Sequence, residues 1–252
     1  MRARLIPAGL AGLLLLVVLL ASAPARLFSL FLPPDQVVLQ GLTGTLWRGA
    51  ASRAMIATDA GYLHLGHLQW HMKPLSLLLL SPAVVIDSAW GGQQFSGELR
   101  RTLAGNLHID DAEGRFDAAV LGRFLPVRLE GEIALQIEAL VLRDGMPQTA
   151  TGRLVWQGAG WQSPQGMRPL GSYAADLQTL DNATITGAVL TLSGDVQAEG
   201  ALRWRAGEYG VDITLQGPGI DDPQLRQALQ LMAAPEGDGF RLQFNGALPA
   251  TD

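Results

Sequence analysis

The chain has 252 residues and a mass of 26.8 kDa, 48% hydrophobic and only 16% charged, which excludes both a disordered acidic chain and a charged helical rod. Eighteen Lys and Arg against 23 Asp and Glu give −5, or −7 over residues 5–252 once Arg2 and Arg4 are set aside, which argues against a nucleic-acid phosphate partner. Cysteine is absent, so disulfides, thiolate metal sites, a Cys nucleophile and a lipoprotein anchor are excluded.

No charge occurs between Arg4 and Arg26, a run of 21 residues from Leu5 to Ala25. As a helix it would cover about 31 Å, close to the hydrocarbon core of a bilayer. Arg2 and Arg4 precede it, which places the N-terminus in the cytoplasm. Ala21-Ser22-Ala23 has the small-x-small form of a signal-peptide cleavage site, but Pro24 would follow the scissile bond directly. Apolar character resumes in Leu27-Phe28-Ser29-Leu30-Phe31-Leu32 before Pro33-Pro34 stops any helix. An uncleaved transmembrane anchor is therefore favoured over a cleaved leader. In either case the remainder faces the far side of a membrane, and Leu75–Leu80 is too short to span.

Beyond Pro34 the pattern has period two. In Val127–Glu138, Val127, Leu129, Ile133, Leu135 and Ile137 alternate with polar residues, which predicts a strand with one wet and one buried face. Tyr209–Gln216 and Phe240–Asn245 alternate likewise. Within Leu63–Met72 the parity slips, Leu63 and Leu65 against Leu68, Trp70 and Met72, and a β-bulge around Gly66-His67 would absorb the shift. Further short strands are predicted at Phe95–Arg100, Gly105–Asp110, Gly114–Val120, Ala183–Leu192 and Leu202–Arg205. Thirty glycines fit many turns, and short gaps predict antiparallel hairpins rather than βαβ units. One late helix is predicted: Asp222 caps it, Pro223 takes its first position, and Leu225, Leu229 and Met232 form its stripe, widened by Ala228 and Leu231. Pro235 and Gly237 end it. The expected fold is mainly β: a single N-terminal transmembrane helix, then a long curved antiparallel β-meander with one short C-terminal helix. Gly-Leu-Trp echoes near Trp47, Trp156 and Trp204 have unequal spacing. Duplicated hairpins and ordinary strand chemistry explain them equally well.

No catalytic constellation emerges. His64, His67 and His71 have a metal-like spacing only on a helix, and no acidic residue lies between Tyr62 and Ser81 to complete a shell. Asp110, Asp111 and Glu113 before Gly114 lack EF-hand spacing and read as a solvated hairpin turn. Asp221-Asp222 is explained by helix capping. Ser163, Ser172 and Ser193 lack a nucleophile elbow, and no phosphate-binding glycine loop is present. Asn182-Ala-Thr184 matches a glycosylation sequon, a tripeptide common by chance. The six tryptophans are too scattered for a base-stacking platform. No cofactor, metal or enzymatic activity is expected.

The run Val37-Val38-Leu39-Gln40-Gly41-Leu42-Thr43-Gly44-Thr45-Leu46-Trp47-Arg48-Gly49 is followed by Leu68-Gln69-Trp70 and Pro74-Leu75-Ser76-Leu77-Leu78. The chain closes with the late helix, Asp238-Gly239-Phe240 and Asn245-Gly246-Ala247-Leu248. This order resembles type II secretion system protein N, also called general secretion pathway protein N, across nearly the whole chain. The resemblance implies a non-catalytic inner-membrane component of the machine that moves folded periplasmic proteins across the outer membrane. Residues 1–32 would then be the cytoplasmic N-terminus and anchor, and residues 33–252 a periplasmic β-rich domain. The implied partners are other secretion components (inner-membrane platform proteins or the outer-membrane secretin) and the inner membrane itself, through residues 5–25, with no nucleic acid. Gly44, Thr45, Leu46, Trp47, Gly49, Trp70 and Pro74 carry over as structural markers, with Trp47 and Trp70 expected to anchor the first hairpins in the core. A second reading is lipid or hydrophobic-ligand handling in a curved β groove, as in AsmA-like periplasmic proteins.

Overall fold

A computed structural model of the protein describes residues 15, 17–32, 36–58, 61–123, 128–163, 166–180 and 183–247. The chain divides into two compact units, residues 1–91 and 92–252. In the first, four antiparallel strands lie side by side in chain order: β1 (Val37–Gly44), β2 (Arg48–Thr58), β3 (Gly61–Met72) and β4 (Ala83–Trp90). A 3-10 helix (Ala25–Phe31) precedes β1, and a five-residue helix α1 (Pro74–Leu78) joins β3 to β4.

Strand β3 carries the predicted bulge. Gly66 takes φ +71°, and the pairing with β2 shifts between Ala51 and Ala54 and again between Ala54 and Met55. The shift resets the facing of the strand, so Leu68, Trp70 and Met72 are buried while His67, Gln69 and His71 are exposed. Those buried residues join Phe28, Leu46, Ala51 and Ala54 in one core.

The expectation of a transmembrane helix over residues 5–25 is corrected. Among the described residues no helix is long and apolar enough to cross a membrane. Helical backbone covers residues 17–21, and the Ser22 hydroxyl folds back to donate to the Val18 carbonyl at 2.7 Å. Past that point Ala23, Ala25 and Phe28 are buried in the core of the first unit. Pro24, unable to continue a helix ladder, instead bridges Thr45. Apolar character over residues 23–28 thus serves packing against strands, a use that composition alone does not distinguish from lipid contact. Residues 5–14 and 16 of the expected span lie outside the described residues.

The second unit contains β5 (Gln93–Arg101), β6 (Leu107–Asp117), β7 (Leu129–Arg143), β8 (Met146–Ser163), β9 (Gly166–Leu180), β10 (Thr184–Ser193), β11 (Gln197–Arg205) and β12 (Glu208–Gln216), again adjacent in chain order. Helix α2 (Pro223–Met232) follows, then a short β13 (Ala234–Glu236) and β14 (Gly239–Ala247); β14 pairs with β12, and β13 takes its outer side. Every paired strand in both units is antiparallel, as short glycine-marked connections require.

Two expectations about the second unit change. The strands predicted at Gly105–Asp110 and Gly114–Val120 are one strand, β6, so Asp110, Asp111 and Glu113 sit inside a strand and not in a hairpin turn. Asp111 has φ +50° and the pairing with β5 shifts opposite it, so a bulge accommodates the acidic cluster. Helix α2 starts as predicted, with Asp222 Oδ1 accepting from Gln224 N at 2.9 Å and Leu225 N at 3.1 Å. Its buried stripe is narrower than expected: Leu229 is buried with Leu225 beside it, whereas Leu231 and Met232 are exposed. Residues 234–236 leave the helix to form β13.

Candidate functional site

The seven marker residues converge on one end of the first unit. Gly44 and Gly49 face each other where β1 meets β2, leaving Thr45, Leu46 and Trp47 as the turn. Gly44 takes φ +84°, and a side chain there would strike the Arg48 carbonyl. Thr45 N donates to that carbonyl at 2.8 Å, while Arg48 N donates back to Thr45 Oγ1 at 3.2 Å. A Cβ on Gly49 would overlap the Trp70 indole, so glycine there makes room for the ring. Trp70 is 3% exposed, stacks on Phe28 with centroids 4.5 Å apart and planes 9° apart, and donates its indole N–H to the Leu46 carbonyl at 3.1 Å.

Trp47 is half-buried and packs against the edge of this core rather than within it. Its indole N–H donates to the Leu20 carbonyl at 2.8 Å, and Leu46 N donates to the Ala23 carbonyl at 2.8 Å. The turn therefore clasps the N-terminal segment just past the point where its helix ends, donating to the Leu20 and Ala23 carbonyls. On its other side Met72 N donates to the Trp47 carbonyl at 2.8 Å. Pro74 opens α1 two residues later, at the position where a missing N–H does no harm.

A second surface lies in the second unit. Strand register aligns apolar residues in rows across seven strands. One row reads Ile137, Gly152, Leu177, Gly187, Leu202, Val211, Phe244, and the next reads Leu135, Leu154, Ala175, Val189, Gly200, Ile213, Leu242. The opposite face carries Gln136, Arg153, Asp176, Ala188, Ala201, Asp212 and Gln243. On that polar face Arg153 pairs with Asp176, and Arg241 forks onto both Asp212 oxygens at 2.7 Å. The Arg153 and Arg241 guanidiniums hold the Asp176 and Asp212 carboxyls below the usual carboxylate range.

The apolar face is the inside of a bend. Trp204, on the same face of β11 as Leu202, donates its indole N–H at 2.9 Å to the Pro147 carbonyl on β8, three strands away. Flat strands at about 4.8 Å spacing would put β8 some 14 Å from β11, beyond an indole's reach. Strands β8 and β10 also approach each other across β9. The result is a trough floored by half-buried aliphatic residues. Toward its other end α2 closes over it with a cluster of Val196, Ile220, Leu229 and Phe240.

Among the described residues no reactive chemistry assembles at either surface. Among the described residues no group of His, Asp and Glu is placed to hold a metal ion. His64 leans on the Trp90 ring at 5.8 Å, and exposed His67 engages Gln69 at 3.1 Å. Ser163 donates to the Gly166 carbonyl at 2.7 Å, and Ser172 accepts from Gly158 N at 3.1 Å, both holding strands together. Tyr173 donates to the Val196 carbonyl at 2.9 Å, and burial pushes its hydroxyl up to about 12, so it stays neutral. Asn182 of the sequon lies outside the described residues.

Residues 35–243 match the family model described as type II secretion system (T2SS), protein N. The chain belongs to this family. Three relatives named type II secretion system protein N agree with it. The protein from Aeromonas hydrophila is 27% identical, aligned over 91% of this chain and 93% of its own length. That from Vibrio cholerae is 29% identical over 93% and 95%, and that from Klebsiella pneumoniae 30% identical over 77% and 82%. No solved structure matches the chain. Protein N is a component of the type II secretion system and is not known as an enzyme. Sequence reasoning located the turn motif but missed most of the trough. Strands β8 and β9 mix Gly, Ala and Thr with bulges and show no clean alternation, and only the register reveals their common face.

Proposed function

We propose that the protein is a non-catalytic docking component of the secretion machine, located at the inner membrane with its β-rich bulk on the periplasmic side. It engages platform proteins or the secretin by strand addition. The observation that carries this is the outer edge of β14. Strand β12 pairs with β14 over Phe240–Ala247, and among the described residues β13 covers only Gly239–Arg241 on the other side. The rest of that edge, Leu242-Gln-Phe-Asn-Gly-Ala247, holds no charge and no proline, the usual guards against strand pairing. Phe244, 41% exposed, offers an apolar anchor beside the open backbone groups. A Phe244→Lys substitution places a guard charge there. In a strain lacking the native gene, this variant accumulates normally but fails to restore exoprotein release and fails to capture secretion components. Full release by the variant would refute docking through this edge.

The trough supports a second reading, capture of a lipid or another hydrophobic ligand. Lipid copurifying with the protein, together with intact secretion in a deletion strain, would favour it. Loss of secretion with no lipid bound favours docking.

A further inference from the structure

The exposed leucines at the marker end of the first unit go beyond a docking role. In antiparallel topology the β1–β2 turn and the β3–β4 connection leave the sheet at the same end, and the hydrogen bonds of Trp47 to Leu20 and Met72 tie both to the end of the N-terminal helical turn. The β3–β4 connection is held as a fixed loop: Ser76 Oγ donates to the Lys73 carbonyl at 2.6 Å and accepts from Ala83 N at 2.8 Å. From it Leu75, Leu79 and Leu80 point outward, 74%, 79% and 61% exposed. A single exposed leucine is ordinary, but three on one braced loop make an apolar patch that folding leaves uncovered.

Charge specifies the occupant. Residues 1–91 hold six Arg and Lys against three Asp and Glu, a net +3, whereas residues 92–252 hold 12 against 20, a net −8. Arg26, Arg48 and Lys73, all exposed, flank this leucine-bearing end, and Lys73 is the only lysine of the chain. Outward leucines at the same end as three exposed cations, on the basic unit of an acidic protein, fit a surface that is apolar within and anionic at its rim. We infer that this end of the first unit rests on an anionic lipid bilayer, with Leu75, Leu79 and Leu80 dipping into the headgroup boundary and Arg26, Arg48 and Lys73 contacting phosphates. The contact lies on the surface of the bilayer and spans nothing. It also orients the sheet: β3 and β4 meet the membrane with the Met72 and Ala83 ends, so the β2–β3 turn points away.

The absence of native cysteine allows a direct test on the full chain. A single Leu79→Cys variant carries an environment-sensitive fluorophore, and Leu103→Cys in the second unit, equally 79% exposed, serves as the matched control. Both are mixed with vesicles of phosphatidylglycerol and phosphatidylethanolamine, with and without nitroxide-labelled lipid, and with pure phosphatidylcholine vesicles. The position-79 probe shifts to the blue and is quenched by nitroxide lipid in the anionic vesicles, while position 103 stays water-like. Arg48→Gln or Lys73→Gln lowers the immersion equilibrium about fivefold each, as one near-surface charge predicts. A probe at 79 that stays water-like overturns the inference. A blue shift without lipid quenching places the probe against a second copy of this chain and also overturns it, as does equal immersion in neutral lipid.

Discussion

Phe28 and Trp70 decide whether the N-terminal segment is part of the first unit's core or only leads into it. Both are nearly sealed from solvent, at 4% and 3% exposure. Truncating either to alanine removes a large buried ring, at a cost of about 3–5 kcal/mol. The two rings touch face to face, so their stack adds about 0.5–1.5 kcal/mol that neither truncation alone isolates. A double-mutant cycle of Phe28→Ala, Trp70→Ala and the pair should return that coupling. Trp70→Phe keeps a ring for Phe28 but strips the donor from the Leu46 carbonyl, costing about 1–3 kcal/mol by itself. The assay is urea unfolding read by hydrogen exchange of the β1–β4 amides, which separates the first unit from the second. Single losses that add to within about 0.3 kcal/mol would show that residues 25–31 do not pack on β3, and the account of the motif as a clasp would fail.

Gly49→Ala should destabilise the same amides by about 1–3 kcal/mol, because the added methyl must displace the Trp70 ring; unchanged exchange would contradict that packing. Trp204→Phe loses the bond that spans from β11 to β8 and should cost about 0.5–1.5 kcal/mol, with faster exchange at the Met146 end of β8; protection left intact there would count against the bend. Acidification should weaken the second unit. The Asp222 carboxyl is held low chiefly by the Leu225 amide, with help from Gln224, and Asp176 and Asp212 are held low by their arginine partners. A folded-state pKa below the unfolded value gives stability that is complete above the unfolded carboxylate range, about pH 4, and is lost as pH falls through the folded values. Asp222→Asn, which keeps an N-cap acceptor, should flatten that loss in an acid titration followed by circular dichroism. Signal-peptidase cleavage after Ala23 or Ala25 would remove the carbonyls that Trp47 and Leu46 hold, so the mature chain should begin upstream of Leu20; N-terminal sequencing that starts at Pro24 or Arg26 would refute this.

Period-two alternation is enough to place β7, β12 and β14, whose apolar and polar residues fall on opposite faces. A parity slip was enough to place the Gly66 bulge. The cap and proline of α2 were equally plain, because local hydrogen bonding sets a helix start. What the sequence hid was anything depending on neighbours across strands. The rows that make the trough join Ile137 to Phe244, 107 positions apart in number, through five intervening strands. Leu231 looked like stripe and is exposed because α2 lies on the sheet through Leu225 and Leu229 alone. The N-terminal run misled for a related reason. Hydropathy reports that Ala23, Ala25 and Phe28 avoid water, and both a bilayer and a Trp70 ring satisfy that demand.

The same ambiguity, turned around, separates the two units by the apolar residues each leaves uncovered. Apolar residues that the first unit buries close its core around Trp70, and those it leaves out, on residues 75–80, lie at its basic end. Apolar residues of the second unit line a trough and an unguarded edge, on a body whose net charge is −8. An anionic bilayer attracts the first set and repels the body that carries the second. Charge alone therefore favours contact of the +3 unit with an anionic lipid surface and disfavours it for the −8 unit. Reversing that bias is a direct check on the synthesis. Arg26→Glu, Arg48→Glu and Lys73→Glu together bring residues 1–91 from +3 to −3, and should abolish leucine immersion while leaving capture by the Phe244 edge intact. If edge capture fell in parallel with immersion, the two surfaces would be one, and the division of labour argued from their charge would be wrong.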